Sequence, residues 1–199
     1  MIFLLPGMGT DRSMYSAPSW QSLPDARFLD WPVHRGEKTI GAIADRLIDE
    51  NAISEGSAMI GTSFGGIVAG EISNRVRLGD LALVSSAVHP SEIAGILSVL
   101  HPLARLAPID FIQAAAGKVP HELAGMFARS QASFVRAACG AIFEWRGLDG
   151  SRIRPLRIHG NHDRVIPPPA NADLMLEGGH LIAMSHADAC VRFLTEHFI

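Results

Sequence analysis

Three short runs in this chain, residues 2–5 (Ile-Phe-Leu-Leu), 58–60 (Ala-Met-Ile) and 81–84 (Leu-Ala-Leu-Val), are apolar at every position. A strand with one wet face alternates apolar and polar residues, whereas a strand covered on both faces does not. Runs of this kind need helices packed above and below them, and helical patterns stand between them. Thr39 is placed to cap a helix whose Ile40, Ile43, Ala44, Leu47 and Ile48 share one face, and Phe64, Ile67, Val68, Ile72 and Val76 recur at the same period. Alternation of buried strands with helices predicts βαβ units and a parallel sheet. Residues 26–29, 155–159 and 173–176 read as further strands, 13–23 as a helix interrupted at Pro18, and 186–198 as a closing helix. The expected fold class is α/β, a mostly parallel, doubly wound sheet of about six strands.

The rhythm breaks after Ser85-Ser86. From about residue 90 to 150 no strand pattern appears, and Pro102, Pro108, Gly117, Pro120, Gly125 and Gly147 punctuate an Ala-, Leu- and Ile-rich stretch whose longest helical pattern covers 131–145. One crossover needs only a dozen or so residues, so this length predicts a helical cap inserted into a single domain of residues 1–199.

Composition narrows the function classes. A net charge of −3 with no basic run leaves no electrostatic footprint for nucleic acid. The start is apolar but short and lacks a basic region, which reads as a strand and not a signal peptide, and no apolar stretch is long enough to span a bilayer. The resulting expectation is a cytoplasmic chain in which Cys139 and Cys190, both in helical patterns, are buried, reduced thiols.

Chemistry-bearing residues gather where the predicted strands end, the rim at which open parallel sheets bind ligands. After the first strand comes Pro6-Gly7-Met8-Gly9-Thr10, a turn with approachable backbone amides, and after the third comes Gly61-Thr62-Ser63-Phe64-Gly65-Gly66. The latter is G-x-S-x-G between a strand and a helix, a nucleophile-elbow pattern in which a strained turn lifts the serine hydroxyl above the sheet. Gly7-x-Gly9 lacks the third glycine of a dinucleotide fingerprint, and no G-K-[ST] follows it. Further on stand His159-Gly160-Asn161-His162-Asp163 and Gly178-Gly179-His180. Nucleophile, acid and base thus follow in the order Ser63, Asp163, His180, the order expected for an elbow-bearing fold.

With these four motifs in place the sequence resembles a small, capped, esterase-like member of the α/β-hydrolase superfamily. The resemblance runs over nearly the whole chain: residues 5–9 match the oxyanion-hole turn, 61–66 the elbow, 159–167 the acid loop and 177–180 the base loop. It implies Ser63 as nucleophile, His180 as general base and acid, and Asp163 as the group that holds the His180 tautomer. It also implies an oxyanion hole from the Met8 and Phe64 backbone N–H groups, with Gly7 and Phe64 against the substrate. Asp173 is the nearest rival acid, but it opens the following strand. The chain departs from the family pattern where Pro167-Pro168-Pro169-Ala170-Asn171 leaves little room for a helix before the last strand, which predicts a bare sheet edge and a candidate oligomer contact. It also begins directly at the oxyanion strand.

The implied activity is hydrolysis of a small, largely apolar carboxylic ester through an acyl-enzyme, with no metal or organic cofactor. A thioesterase, a carbon–carbon bond hydrolase or a cofactor-free perhydrolase would use the same groups, and a small-ligand sensor with little turnover is the alternative of another class. His159, His162 and Asp163 imitate a metal motif, but a loop after a strand is not expected to bring all three together. His34, His89 and His101 are expected at the surface or in the cap. Leu97, Leu100, Leu103, Phe111, Phe127, Phe134 and Phe143 are candidates for an acyl pocket or for the core of the cap itself.

Overall fold

A computed structural model describes residues 1–93 and 121–198. Six parallel strands, β1 (Ile2–Leu5), β2 (Ala26–Phe28), β3 (Ala58–Thr62), β4 (Asp80–Val84), β5 (Leu156–Gly160) and β6 (Leu174–Leu176), form one sheet in the order β2-β1-β3-β4-β5-β6. All five pairings are parallel. The α-helices among the described residues are α1 (Pro18–Gln21), α2 (Ile40–Asn51), α3 (Phe64–Ser73), α4 (His121–Arg129), α5 (Ala132–Glu144), α6 (Ile182–Ser185) and α7 (Ala187–His197).

The apolar strands divide their side chains between two cores with the period of two that a pleated strand imposes. Phe3, Leu5, Met59, Leu81 and Leu83 join Ile43, Leu47 and Ile67 on one face. Ile2, Leu4, Ile60, Ala82 and Val84 join Trp20, Cys190 and Leu194 on the other. Burying each such aliphatic side chain contributes about 1.5–3 kcal/mol, so both apolar faces drive the layering. Thr39 caps α2 as expected, its Oγ1 accepting from the Ala42 N–H at 3.0 Å.

Several local expectations shift. Pro18 does not break a helix but begins α1, where its missing N–H costs nothing, and a separate 3-10 turn (Arg12–Tyr15) precedes it. The elbow helix stops at Ser73, short of Val76, and 186–198 resolves into α7 preceded by α6. Of the expected cap, α4 and α5 stand between β4 and β5, while the portion at 94–120 lies outside the described residues, as do His101, Leu97, Leu100, Leu103 and Phe111. Where the chain leaves the sheet toward that segment, Glu92 forms a two-pronged ion pair with the buried Arg157 of β5, at 2.8 and 2.9 Å. Cys139 and Cys190 are both buried and free. Among the described residues no helix is long and apolar enough to cross a membrane.

Candidate active site

The chain runs from β1 outward to β2 and then returns across β1 to β3, so the strand order reverses between β1 and β3. A crevice opens at the carboxyl ends of two such strands because their connections leave in opposite directions. The turn after β1 and the elbow after β3 meet there.

Ser63 has φ 54° and ψ −122°, a conformation that L-residues rarely adopt. It is held there from three sides. Its N–H donates to Val84 O at 2.9 Å, its carbonyl accepts from the Gly66 N–H at 2.9 Å, and the Ser86 hydroxyl donates to that same carbonyl at 2.7 Å. The glycines either side of it permit the turn for a reason of space. A Cβ on Gly61 would strike the backbone of Gly65 and Gly66, and one on Gly65 would strike the carbonyl oxygens of Leu5 and Pro6. The elbow is therefore pressed against the end of β1. The buried Tyr15 joins the same two strand ends: its hydroxyl donates to Leu5 O at 2.7 Å and takes the Thr62 hydroxyl at 2.8 Å. Burial pushes the Tyr15 phenol well above its ordinary pKa, and it stays neutral.

His180 reaches this elbow from the loop after β6. Its Nε2 lies 2.8 Å from Ser63 Oγ and its Nδ1 lies 2.8 Å from Asp163 Oδ2. Because an ionised carboxylate can only accept, Nδ1 carries the proton and Nε2 is left to accept from the serine hydroxyl. The structure thus brings Ser63, His180 and Asp163 into one hydrogen-bonded chain across loops 17 and 117 residues apart in sequence. Asp173 is not part of it. Just before β6, its carboxylate accepts from the Arg157 N–H at 2.8 Å and from the guanidinium of Arg154.

Asp163 receives four donors. Oδ1 accepts from the Val165 and Ile166 N–H groups at 2.8 and 2.9 Å, Oδ2 accepts from His180, and the His159 Nε2–H is shared between Oδ2 at 3.1 Å and the Ile166 carbonyl at 2.9 Å. Burial alone would raise its pKa, but the bonds from His159 and His180 outweigh that and hold the carboxyl well below the usual carboxylate range. Of His159, His162 and Asp163, the fold brings only two together. His159 and Asp163 do meet, because a turn after β5 folds the chain back on the strand end, while His162 points outward to Glu177 at 3.2 Å. Among the described residues no group of three or more His, Cys, Asp or Glu side chains could hold a metal ion. The acid and base loops are packed backbone to backbone: a Cβ on Gly160 would strike the carbonyls of Gly178 and Gly179.

The turn after β1 crosses directly over the serine, and a Cβ on Gly7 would lie 3.6 Å from Ser63 Cβ. Three donors converge on the Gly7 carbonyl: the Thr10 hydroxyl at 2.8 Å, Trp31 Nε1 at 2.9 Å and the Thr10 N–H at 3.2 Å. The roof is apolar. Phe64, Trp31 and Phe134 of α5 pack ring against ring at centroid distances of 5.1–6.3 Å, and Cys139 and Val135 of α5 pack on the Met8 side chain. Burial pushes the Cys139 thiol up to about 11, so it packs on Met8 as a neutral group. Beside the turn a cavity of about 100 Å³ is lined by Gly9, Thr10, Trp31, Met126 and Phe134, with Arg129 and Asp11 paired at its mouth. Of the aromatic candidates, Phe134 stands over the elbow, Phe127 is buried against Gly9, and Phe143 is partly exposed. The His34 ring bonds to Glu37 O within its own loop while the His34 backbone N–H donates to Gln131 Oε1, and His89 caps a 3-10 turn.

No sequence motif assigns a role to His159, Trp31, Thr10, Tyr15 or Ser86. Only His159 carried a readable signal, four residues before Asp163 at the end of a strand. Thr10 acts on Gly7 three residues back, in a turn without a motif of its own. Ser86, Trp31 and Tyr15 reach Ser63, Gly7 and Thr62 across 23, 24 and 47 residues, separations at which spacing carries no geometric information.

A parallel sheet with reversed strand order, an elbow serine at the reversal and a histidine–carboxylate pair facing it define an α/β-hydrolase architecture. The chain belongs to the alpha/beta hydrolase family, whose sequence profile matches residues 2–193. It is similar in structure to a thermophilic esterase from Thermogutta terrifontis (20% identity, 98% of this chain and 88% of that one, TM-score 0.76). It is likewise similar to the enol-lactonase from Burkholderia xenovorans LB400 (22% identity, 98% and 89%, TM-score 0.66). A third similar structure is the type II thioesterase BorB from the borrelidin biosynthetic cluster (20% identity, 98% and 89%, TM-score 0.66). No curated protein sequence matches the chain.

Proposed function

We propose that this protein is a serine hydrolase that cleaves a small, largely apolar carboxylic ester through an acyl-enzyme. The observation that carries the reading is the position of His180, 2.8 Å from both Ser63 Oγ and Asp163 Oδ2. A serine hydroxyl is a weak nucleophile until a base within hydrogen-bond reach takes its proton. Ser63 Oγ attacks the ester carbonyl as its proton passes to His180 Nε2, and Asp163 stabilises the imidazolium. The oxyanion is met by the Met8 and Phe64 N–H groups, which have no protein acceptor among the described residues. His180 then gives the proton to the departing alkoxide, and a water molecule deprotonated by the same nitrogen releases the acid.

The apolar roof of Trp31, Phe64, Phe134, Met8 and Val135 favours an acyl group with little polarity. The esterase, lactonase and thioesterase named above each act at an acyl carbon, which agrees with this chemistry. A thioester is the second reading, favoured by the likeness to BorB. The test is a panel of p-nitrophenyl esters of graded chain length beside acyl thioesters, with a fluorophosphonate as label. Short esters should be hydrolysed and Ser63 alone should be phosphonylated. An unlabelled, folded protein, or undiminished hydrolysis by Ser63→Ala, would defeat the proposal.

A further inference from the structure

We propose that Trp31 and Thr10 form a clamp on the Gly7–Met8 peptide that aims the Met8 N–H at the oxyanion, making both of them positioning residues for the reaction. The inference rests on the serine-hydrolase reading above. Neither residue belongs to the motifs that define the elbow, the acid loop or the base loop.

The argument begins with a peptide plane. In a trans peptide the carbonyl and the following N–H point in opposite directions, so fixing one fixes the other. The chain has no cis peptide among the described residues, and the Gly7 carbonyl is the partner of the Met8 N–H. That carbonyl is engaged by three donors, the Thr10 hydroxyl (2.8 Å), Trp31 Nε1 (2.9 Å) and the Thr10 N–H (3.2 Å). The Met8 N–H is therefore turned to the opposite side. Gly7 packs against Ser63, whose Cβ would lie 3.6 Å from a Cβ on Gly7, so in this proposal the attacked carbonyl sits on the Met8 N–H side of that peptide.

Glycine explains why a clamp is needed. A Gly7–Met8 peptide can rotate with little steric resistance, and a rotated peptide would present its carbonyl oxygen, a repelling group, to a developing oxyanion. Two side-chain donors oppose that rotation. The same bonds draw electron density toward the Gly7 oxygen and make the Met8 N–H a stronger donor. Trp31 is itself fixed by its rings: it packs on Phe64, which supplies the second N–H, and on Phe134 of α5, at 5.3 and 5.1 Å. One indole thus connects both oxyanion donors and the inserted helix.

The test uses Trp31→Phe, which keeps the ring contacts and removes the N–H, together with Thr10→Val. Each single variant should lower kcat/KM for p-nitrophenyl acetate about tenfold, the scale of one lost hydrogen bond at an oriented dipole. The loss should lie in kcat with KM within about twofold, because the interaction tightens only as charge develops. Affinity for a trifluoromethyl ketone, which forms a tetrahedral adduct on the serine, should fall in proportion to kcat/KM. The Met8 amide resonance in a ¹⁵N–¹H spectrum of the free protein should move. If both variants stay within about threefold of wild type and the Met8 resonance is unmoved, the clamp is refuted. If the wild type neither hydrolyses esters nor takes the fluorophosphonate, the hydrolase reading has failed. The Met8 resonance then still decides whether Trp31 and Thr10 hold that peptide.

Discussion

Replacing Asp163 by asparagine removes a charge while keeping size and shape, and the four donors around the carboxylate dictate the outcome. Oδ1 faces two backbone N–H groups, Val165 and Ile166, and Oδ2 faces His180 and His159. The new side chain must turn its NH2 toward one pair. Facing the backbone pair would leave two buried N–H groups with no acceptor, at about 1–3 kcal/mol each, and a backbone N–H cannot change its polarity. The NH2 therefore faces the imidazoles, of which His180 can change its polarity while His159 keeps its Nε2–H on the Ile166 carbonyl at 2.9 Å. His180 then accepts at Nδ1 and carries its proton on Nε2, the atom 2.8 Å from Ser63 Oγ. A donor now stands where the serine proton has to go. In a relay of this kind the wrong tautomer costs about 10⁴ in kcat, equivalent to about 5 kcal/mol of barrier. Steady-state hydrolysis of p-nitrophenyl acetate measures the loss, and the rate of fluorophosphonate labelling should fall with it. Nitrogen chemical shifts of His180 report the tautomer directly. Hydrolysis within tenfold of wild type, with Nε2 still unprotonated, would refute the reasoning.

Two further predictions concern stability. Because Ser63 sits at φ 54° and ψ −122°, Ser63→Gly should be inactive yet more stable than Ser63→Ala by about 1 kcal/mol, a difference of about 2–4 °C in Tm by calorimetry. Both variants lack the hydroxyl, so the comparison isolates backbone strain, and an alanine variant at least as stable as the glycine one would disprove it. The second is acid sensitivity. The folded Asp163 carboxyl is held far below its unfolded value of about 3.9, so its contribution is fully present above that pH and is lost as pH falls below it. Urea titrations from pH 6 to pH 3 should show wild-type stability falling more steeply than that of Asp163→Asn. Parallel pH profiles for the two proteins would contradict the assignment of Asp163 as an ionised, buried group.

The layering of this protein is legible in residues 2–5, 58–60 and 81–84 because burial on both faces leaves no alternation to disguise. The elbow is legible because Gly61, Ser63 and Gly65 form one pattern within five residues, although the backbone that demands glycine at 65 belongs to Leu5 and Pro6. Pro18 shows the limit of that reading: the same ring that interrupts a helix also starts one, and only the position of the neighbouring 3-10 turn distinguishes the two.

Residue order was enough to set the strand sequence, the elbow and the identity of the three groups that meet there, since each follows from local periodicity, local sterics or motif order. The meeting itself was settled by folding. The strand reversal between β1 and β3, the backbone contact of Gly160 with Gly178 and Gly179, and the indole of Trp31 on the Gly7 carbonyl all join segments distant in the chain. Hydrogen bonds act over about 3 Å and depend on angle, and no spacing in a linear sequence encodes either quantity.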